Sequence, residues 1–142
     1  MAVSYNKFQQ FVEDLAEGVH DLQNDALYVC LTNTAPTATD AVFTDLTEIS
    51  AGNGYTAGGQ AVTVSASAQT SGTYKLTIAD EVFTASGGTI GPFRYATLYN
   101  NTPTSPADPL IGYWDYGSSI TLNDTETFTV DFDGTNGVLT LA

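Results

Sequence analysis

Basic residues are scarce in this chain. Its 142 residues include only Lys7, Lys75 and Arg94 on the basic side, against sixteen acidic residues, which gives a formal net charge of −13. Proteins that bind nucleic acid neutralise phosphates with Lys and Arg, and anionic membrane surfaces attract the same residues. The composition therefore argues against a nucleic-acid partner and against a membrane partner.

Cysteine and histidine each occur once, as Cys30 and His20. A single cysteine excludes an intrachain disulfide and a cysteine metal cluster. Cys30 lies in an apolar run over residues 27–31, which favours a buried structural thiol. No stretch has the length of a transmembrane helix, and the N-terminal residues lack the apolar core of a signal peptide.

The remaining composition favours β-structure. Hydrophobic residues make up 42% and charged residues only 13%, whereas ordinary soluble domains have roughly 25% charged residues. Thr, Ser, Asn and Gly supply the polarity instead, and they suit strands and tight turns. The length predicts one domain over residues 1–142, large enough to bury a core without disulfides or metals.

Residues 4–23 carry the spacing of an amphipathic helix. Ser4 is the expected N-cap, and Gly18 marks either a close contact or an early end of the helix. The apolar stripe consists of Tyr5, Phe8, Phe11, Val12, Leu15, Val19 and Leu22.

The rest of the chain predicts a β domain. Residues 27–31 read as a buried strand, residues 33–59 as a loop-rich arm, and residues 60–142 as strands. Within the arm, residues 42–49 fit either a short helical turn or an irregular segment. The candidate strands are 60–67, 73–85 with a break near Asp80, 92–100, 110–116, 119–122, 126–132 and 137–141, with a hairpin turn at 133–137. We expect a mainly β fold, a β-sandwich or jelly-roll-like domain with one N-terminal amphipathic helix.

The sequence contains little that indicates an active site or a cofactor site. No nucleophile elbow accompanies His20, which we expect at the surface or at the edge of the apolar stripe. Residues 52–57 match the dinucleotide fingerprint formally, but a strand rather than a helix follows, so turn glycines are the better interpretation. We expect no catalytic residue, no cofactor and no enzyme activity.

Acidic residues offer two further hypotheses. Asp131 and Asp133 share one face of the predicted last hairpin, and with Asn136 they could bind calcium near the turn. Acids beside the aromatic run at residues 113–116 could indicate a glycosidase. Solvated β-face residues explain both clusters more simply in a chain so rich in acids, and we expect no metal site.

Aromatic residues are concentrated on two neighbouring candidate strands, 92–100 and 110–116. Either they pack in the core, or they form an exposed patch for a protein or sugar partner. The helix stripe faces the same choice between internal packing and contact with a neighbour. The candidate interface residues are Phe8, Phe11, Leu15, Val19, Tyr55, Phe93, Tyr95 and Trp114.

Three stretches of the sequence resemble small virion proteins of tailed bacteriophages. They are LTNTAPTATDAVFTDLTEISAGNGYTAGGQAV at residues 31–62, TIGPFRYATLYNNT at 89–102 and PLIGYWDYGSSITL at 109–122. The resemblance brings no catalytic residues, and it implies a structural component of the particle. Among such components we favour a capsid decoration or cement protein, which binds the outer surface of the shell formed by the major capsid protein.

The acidity agrees with that interpretation, because a strongly negative protein is repelled by packaged DNA. We therefore expect a virion protein on the capsid exterior, made in the host cytoplasm, and a homo-oligomer, with a trimer favoured. A neck, tail or fibre component of the virion is the alternative, followed by a carbohydrate-binding module.

Overall fold

The N-terminal segment is extended before it becomes helical. In this computed structural model, which describes residues 3–142, strand β1 is Asn6–Lys7 and helix α1 is Gln10–Ala16. The prediction of a helix over residues 4–23 is thus wrong at both ends. Asn6 and Lys7 instead pair with Tyr113 and Gly112, and Ser4 precedes a strand rather than capping a helix.

Gly18 ends the helix early. Its φ of +80° suits the left-handed conformation that glycine adopts without strain. The N–H of Val19 donates to the carbonyl of Asp14 at 2.8 Å, and the N–H of Gly18 donates to that of Leu15 at 3.3 Å. These two bonds form a Schellman motif, which satisfies carbonyls that the last turn would leave without partners.

The strands that follow alternate apolar and polar residues or are rich in β-branched ones, as β-structure requires. They are β2 Leu27–Thr32, β3 Gln60–Ala61, β4 Val64–Thr70, β5 Thr73–Ile78, β6 Glu81–Thr84, β7 Ile90–Asn100, β8 Leu110–Leu122, β9 Thr127–Val130 and β10 Leu139–Leu141. The mainly β class and the single short helix near the N-terminus are confirmed.

Three antiparallel sheets result. Five strands associate in the order β1-β8-β7-β2-β3, three in the order β10-β5-β4, and β6 pairs with β9. Residues 133–137 do form a turn, but the predicted hairpin is wrong. The flanking strands belong to different sheets, because β9 pairs with β6 and β10 pairs with β5. The two candidate strands at 110–116 and 119–122 are one irregular strand, β8.

The main core lies where the three sheets face one another. The five-stranded sheet contributes Val29 and Leu98, while Leu76 comes from the three-stranded sheet and Phe83 from the two-stranded one. All four are fully buried. Phe11 joins this core from α1, so the helix packs on its own chain at that position.

The loop-rich arm covers the opposite face of the five-stranded sheet. Cys30 and Tyr99 point to this second cluster, where Phe43 and Leu46 of the arm pack against them. Residues Phe43–Asp45 form one turn of 3₁₀-helix, which resolves the choice that the sequence left open at residues 42–49. No helix within residues 3–142 is long and apolar enough to cross a membrane.

Candidate binding groove

Half of the predicted interface residues lie inside the chain. The side chains of this group are at most 3% exposed, so they offer a partner very little surface, and for them the core-packing alternative holds. They are Phe8, Phe11, Tyr55 and Phe93. The other half, Leu15, Val19, Tyr95 and Trp114, are half-buried and keep some accessible surface.

A groove opens between the β7–β8 pair and the chain from β9 to β10. Its volume is about 680 Å³, and it is bounded by Trp114 on β8, by Phe128 on β9 and by Phe132 just beyond β9. Tyr5, from the segment that runs along the edge of β8, reaches it as well. Of the predicted interface residues, the structure brings Phe93, Tyr95 and Trp114 together here, and we call this site the aromatic groove.

Two series of contacting rings run along the aromatic groove. The ring of Trp114 lies 5.6 Å from that of Tyr5 and 5.5 Å from that of Phe132, between ring centres. The ring of Phe128 lies 5.0 Å from that of Phe93 and 5.5 Å from that of Tyr116. Edge-to-face and tilted contacts at these separations are favourable, so the rings are held in place before any partner binds.

Tyr116 is the most accessible aromatic side chain of the site, 49% exposed. It lies where β8 departs from regular pairing with β7: Tyr95 is opposite Asp115, yet Phe93 is opposite Ile120. Residues 116–119 therefore bulge out of the ladder, with Gly117 at a φ of +103°. Bulges re-aim side chains, and this one turns an aromatic ring toward the groove.

One ion pair marks the rim. The Arg94 guanidinium donates to both carboxylate oxygens of Asp115, at 2.7 and 3.0 Å. Hydrogen bonding from Arg94, together with the N–H of Gly117, lowers the pKa of Asp115, and the same pairing raises the pKa of Arg94. Because the carboxylate already engages this cation, Arg94 adds little net positive charge to the groove.

Acidic side chains line the other rim. Asp131 and Asp133 are exposed and border the groove, but they lie beyond the end of β9 rather than on a hairpin face. The Asp133 carboxylate accepts hydrogen bonds from the N–H groups of Asn136 and Thr135, which lower its pKa. Its second oxygen accepts from the Asn136 side-chain amide at 2.9 Å.

These hydrogen bonds give Asp133, one of the two acids of the proposed calcium cluster, a structural role. Asp133 shapes the turn at 133–137 in the manner of an Asx turn, and Asn136 presents its amide nitrogen to it, not its oxygen. Across residues 3–142, no group of three or more His, Cys, Asp or Glu side chains is arranged to hold a metal ion.

The glycine-rich loop at 52–59 serves turns and close contacts. Gly52 and Tyr55 form a β-bridge, and Gly54 has a φ of +101°. The Tyr55 hydroxyl donates to Glu48 at 2.9 Å and accepts from the N–H of Leu31 at 3.0 Å. No helix follows the loop, so the geometry of a dinucleotide site is not present here.

His20 is buried, which corrects the expectation of a surface or stripe-edge position. Only 6% of it is exposed, and Asn100 donates to its Nδ1 at 3.1 Å. Burial lowers the pKa of His20, while the charges of Asp14 and Asp25 act in the opposite direction. The residue has no serine or cysteine nucleophile among its hydrogen-bond partners, and its neighbour Asn100 also binds Asp25 at 2.7 Å.

Sequence reasoning missed several members of the groove. The helical spacing places Tyr5 in the stripe of a helix, and the candidate strand 126–132 does not single out Phe128 or Phe132 as site residues. The signal was present in the alternation Phe128-Thr-Val130-Asp-Phe132, which places three apolar side chains on one face. The alternation does not predict which sheet packs against this face.

Comparison with known proteins finds no match. No protein-family model, no curated protein and no solved structure matches this chain.

Proposed function

We propose that this protein is a non-enzymatic structural component of a bacteriophage virion. In this proposal it is a decoration, or cement, protein that binds the exterior of the shell formed by the major capsid protein and stabilises that shell. The observation that carries the proposal is the aromatic groove: a preformed, partly open apolar surface with acidic residues at its rim.

The chemistry of the groove suits a protein segment. Aromatic rings offer large contact areas at low entropic cost and dominate binding energies at protein interfaces. Asp131 and Asp133 at the rim favour Lys or Arg beside the inserted apolar side chains. The expected ligand is therefore an exposed segment of a shell protein that combines apolar and basic residues.

The stretches that carry the resemblance include the strands that bound the groove. Residues 31–62, 89–102 and 109–122 carry the likeness to phage virion proteins. They include all of β7 and β8, which bound the groove, together with β3, the end of β2 and the arm that covers the other face. The likeness runs over most of the chain from the N-terminal segment onward, and these stretches are the part of it that includes the strands of the groove.

The charge favours the outside of the particle. A net charge of −13 is unfavourable next to packaged DNA. Lys75 donates to the carbonyl of Thr135 at 2.9 Å and Arg94 is paired with Asp115, so two of the three cations are already engaged. An acidic surface also steers the protein toward basic patches on a shell.

Two measurements test this proposal. Cryo-electron microscopy of the particle should show density for the chain on the outer face of the capsid, and quantitative mass spectrometry should give hundreds of copies per particle. Density at the neck, tail or a fibre, with at most several dozen copies, would instead establish the alternative role. Absence of the chain from the particle would refute both.

The groove itself is tested with Tyr116→Ala. Tyr116 is half exposed, so the variant should remain folded yet bind purified capsids at least about tenfold more weakly, as expected for an interface hot spot. Val12→Ala, at an exposed position of α1 away from the groove, is the matched control and should bind normally. Equal binding by the two variants would remove the groove from the proposal.

A carbohydrate-binding module is the second candidate, because Trp114 and Tyr116 could stack on sugar rings while Asp131 and Asp133 accept hydrogen bonds from hydroxyls. Glycan-array binding that disappears in Trp114→Ala would favour it. Lack of binding to any glycan would exclude it for the glycans tested.

A further inference from the structure

Strand β4 is an edge strand without the usual protection. It lies at the end of the order β10-β5-β4, and six of its seven residues, all except Gln69, are Val, Ser, Ala or Thr. Natural edge strands are commonly guarded by charged residues or proline, and β4 has neither. A register shift between Val64 and Ala66 disturbs one end only, which leaves residues 66–70 as a regular free edge.

The backbone groups that face outward can be assigned from the pairing. Leu76 of β5 accepts a hydrogen bond from Val138 on the β10 side, so its polar groups point away from β4. Ser67 lies opposite Leu76, and Gln69 lies opposite Tyr74 two residues further along. Because pairs alternate along an antiparallel ladder, the N–H and C=O groups of Ser67 and Gln69 face solvent.

The charge distribution identifies what this edge can accept. Residues 49–79 contain no Asp or Glu, although the whole chain has sixteen acids, and their one charged residue is Lys75. Two copies of a protein with a charge of −13 repel each other over most of their surface. The β4–β5 hairpin contributes no acid to that repulsion, and among the residues that line the hollow beside Ser67 and Tyr74 the one acid is Asp21.

We propose that two copies of this chain associate through β4, edge to edge and antiparallel, to form a continuous six-stranded sheet. Two identical edges that meet in one sheet are related by a two-fold axis, so the assembly is a dimer rather than the trimer favoured from the sequence. The axis passes between Ala68 and its symmetry mate, because Ala68 is the midpoint of the regular edge at residues 66–70.

This register uses all of the outward groups. Ser67 of one copy lies opposite Gln69 of the second, and each such pair exchanges two backbone hydrogen bonds. Ala68 meets Ala68 of the second copy as a non-hydrogen-bonded pair, since its own polar groups are used toward Lys75 of β5. The small exposed side chains of Ala66 and Ala68 leave room for the approach. The inference concerns β4 alone and does not depend on the aromatic groove or on the location in a virion.

Disulfide trapping tests the register. In a non-hydrogen-bonded pair the Cα atoms are about 4.5 Å apart, within the range that a disulfide spans. Ala68→Cys should therefore give a disulfide-linked dimer under mild oxidation, seen by non-reducing electrophoresis. Ala66→Cys is the matched control: in this register its symmetry mate is four residues away, about 13 Å, and it should stay monomeric. The native Cys30 is buried and does not compete.

Sedimentation velocity tests the association itself. Gln69→Pro removes an N–H that the monomer does not use in its sheet, so the fold should persist while the dimer dissociates roughly tenfold or more readily. Gln69→Ala keeps the N–H and should dimerise like the wild-type chain. A folded Gln69→Pro variant that dimerises normally would overturn the proposal. So would a wild-type monomer at high concentration, or an Ala68→Cys variant that crosslinks no more than Ala66→Cys.

Discussion

The contact between Tyr5 and Gly112 gives the sharpest prediction about how the N-terminal segment holds the groove. A Cβ placed on Gly112 would lie 2.1 Å from Cε2 of Tyr5 and 2.6 Å from Cζ. The ring would have to retreat by more than about 1 Å to restore ordinary contact distances. Gly112→Ala should therefore lift Tyr5 from β8 and with it the contact between Tyr5 and Trp114.

The expected loss of unfolding free energy follows from the contacts that the Tyr5 ring loses. Truncation of a fully buried Phe or Trp to Ala costs about 3–5 kcal/mol. Tyr5 is only half-buried, so we expect Tyr5→Ala to cost about 2 kcal/mol, with about 0.5–1.5 kcal/mol of that from the Trp114 contact. Gly112→Ala should cost nearly as much, because it displaces the same ring.

The effect should change sign when Tyr5 is already absent. Gly112 does not have a positive φ, so its backbone accepts alanine without strain. Replacing glycine by alanine at such a site stabilises by about 0.4–1 kcal/mol through the unfolded chain. In the Tyr5→Ala background we therefore expect Gly112→Ala to be neutral or stabilising, with a coupling energy of about 2 kcal/mol between the two positions.

Urea denaturation followed by far-ultraviolet circular dichroism measures this cycle for the wild type, both single variants and the double variant. Trp114 is the sole tryptophan, so its fluorescence additionally reports whether the ring beside it has moved. If the free energies of the two single changes simply add in the double variant, the reasoning about ring displacement is refuted.

Three further predictions concern the core. Burial keeps the pKa of His20 in the folded state below its unfolded value. The contribution of His20 to stability is therefore complete above about pH 6.5 and declines as the pH falls toward the folded pKa. His20→Gln should flatten that decline, as measured by thermal unfolding at several pH values. Gly59→Ala should lower the free energy of unfolding by more than about 3 kcal/mol. Gly59 has a φ of +85°, and a Cβ at this position would lie 1.9 Å from the backbone oxygen of Val29. Unchanged stability in denaturant would contradict this prediction. Cys30 is fully buried and burial raises its pKa, so a thiol reagent should label it only in denaturant, and rapid labelling of the native protein would disprove its burial.

Strand existence could be read from the chain because alternation and turn residues are local properties. The break near Asp80 separates β5 from β6, and the arm at 33–59 contains a single 3₁₀ turn, as expected for a loop-rich segment. The helix was overestimated because the spacing of Tyr5, Phe8 and Leu22 mimics a helical stripe. Tertiary pairing with β8 overrode that periodicity for Asn6 and Lys7.

The candidate site was predictable only in part. Aromatic enrichment on β7 and β8 indicates candidate interface residues, of which Trp114 and Tyr95 border the groove. The burial of Phe8 and Tyr55 could not be read from the sequence, since each becomes buried through residues far away in the chain. Phe8 packs on Tyr113, with ring centres 5.2 Å apart, and Tyr55 stacks on Phe83.

The sequence by itself determined the quantities that depend on composition and on neighbours along the chain: the charge of −13, the lack of a disulfide, the mainly β class and the breaks between strands. The tertiary structure decided which strands pair and therefore which faces meet. It placed Phe132 against Trp114 and Phe128 against Phe93, buried His20 against Asn100, and left the edge of β4 without a neighbouring strand among residues 3–142. The physical reason is that burial and pairing are properties of residues distant in sequence, whereas charge and local alternation are not.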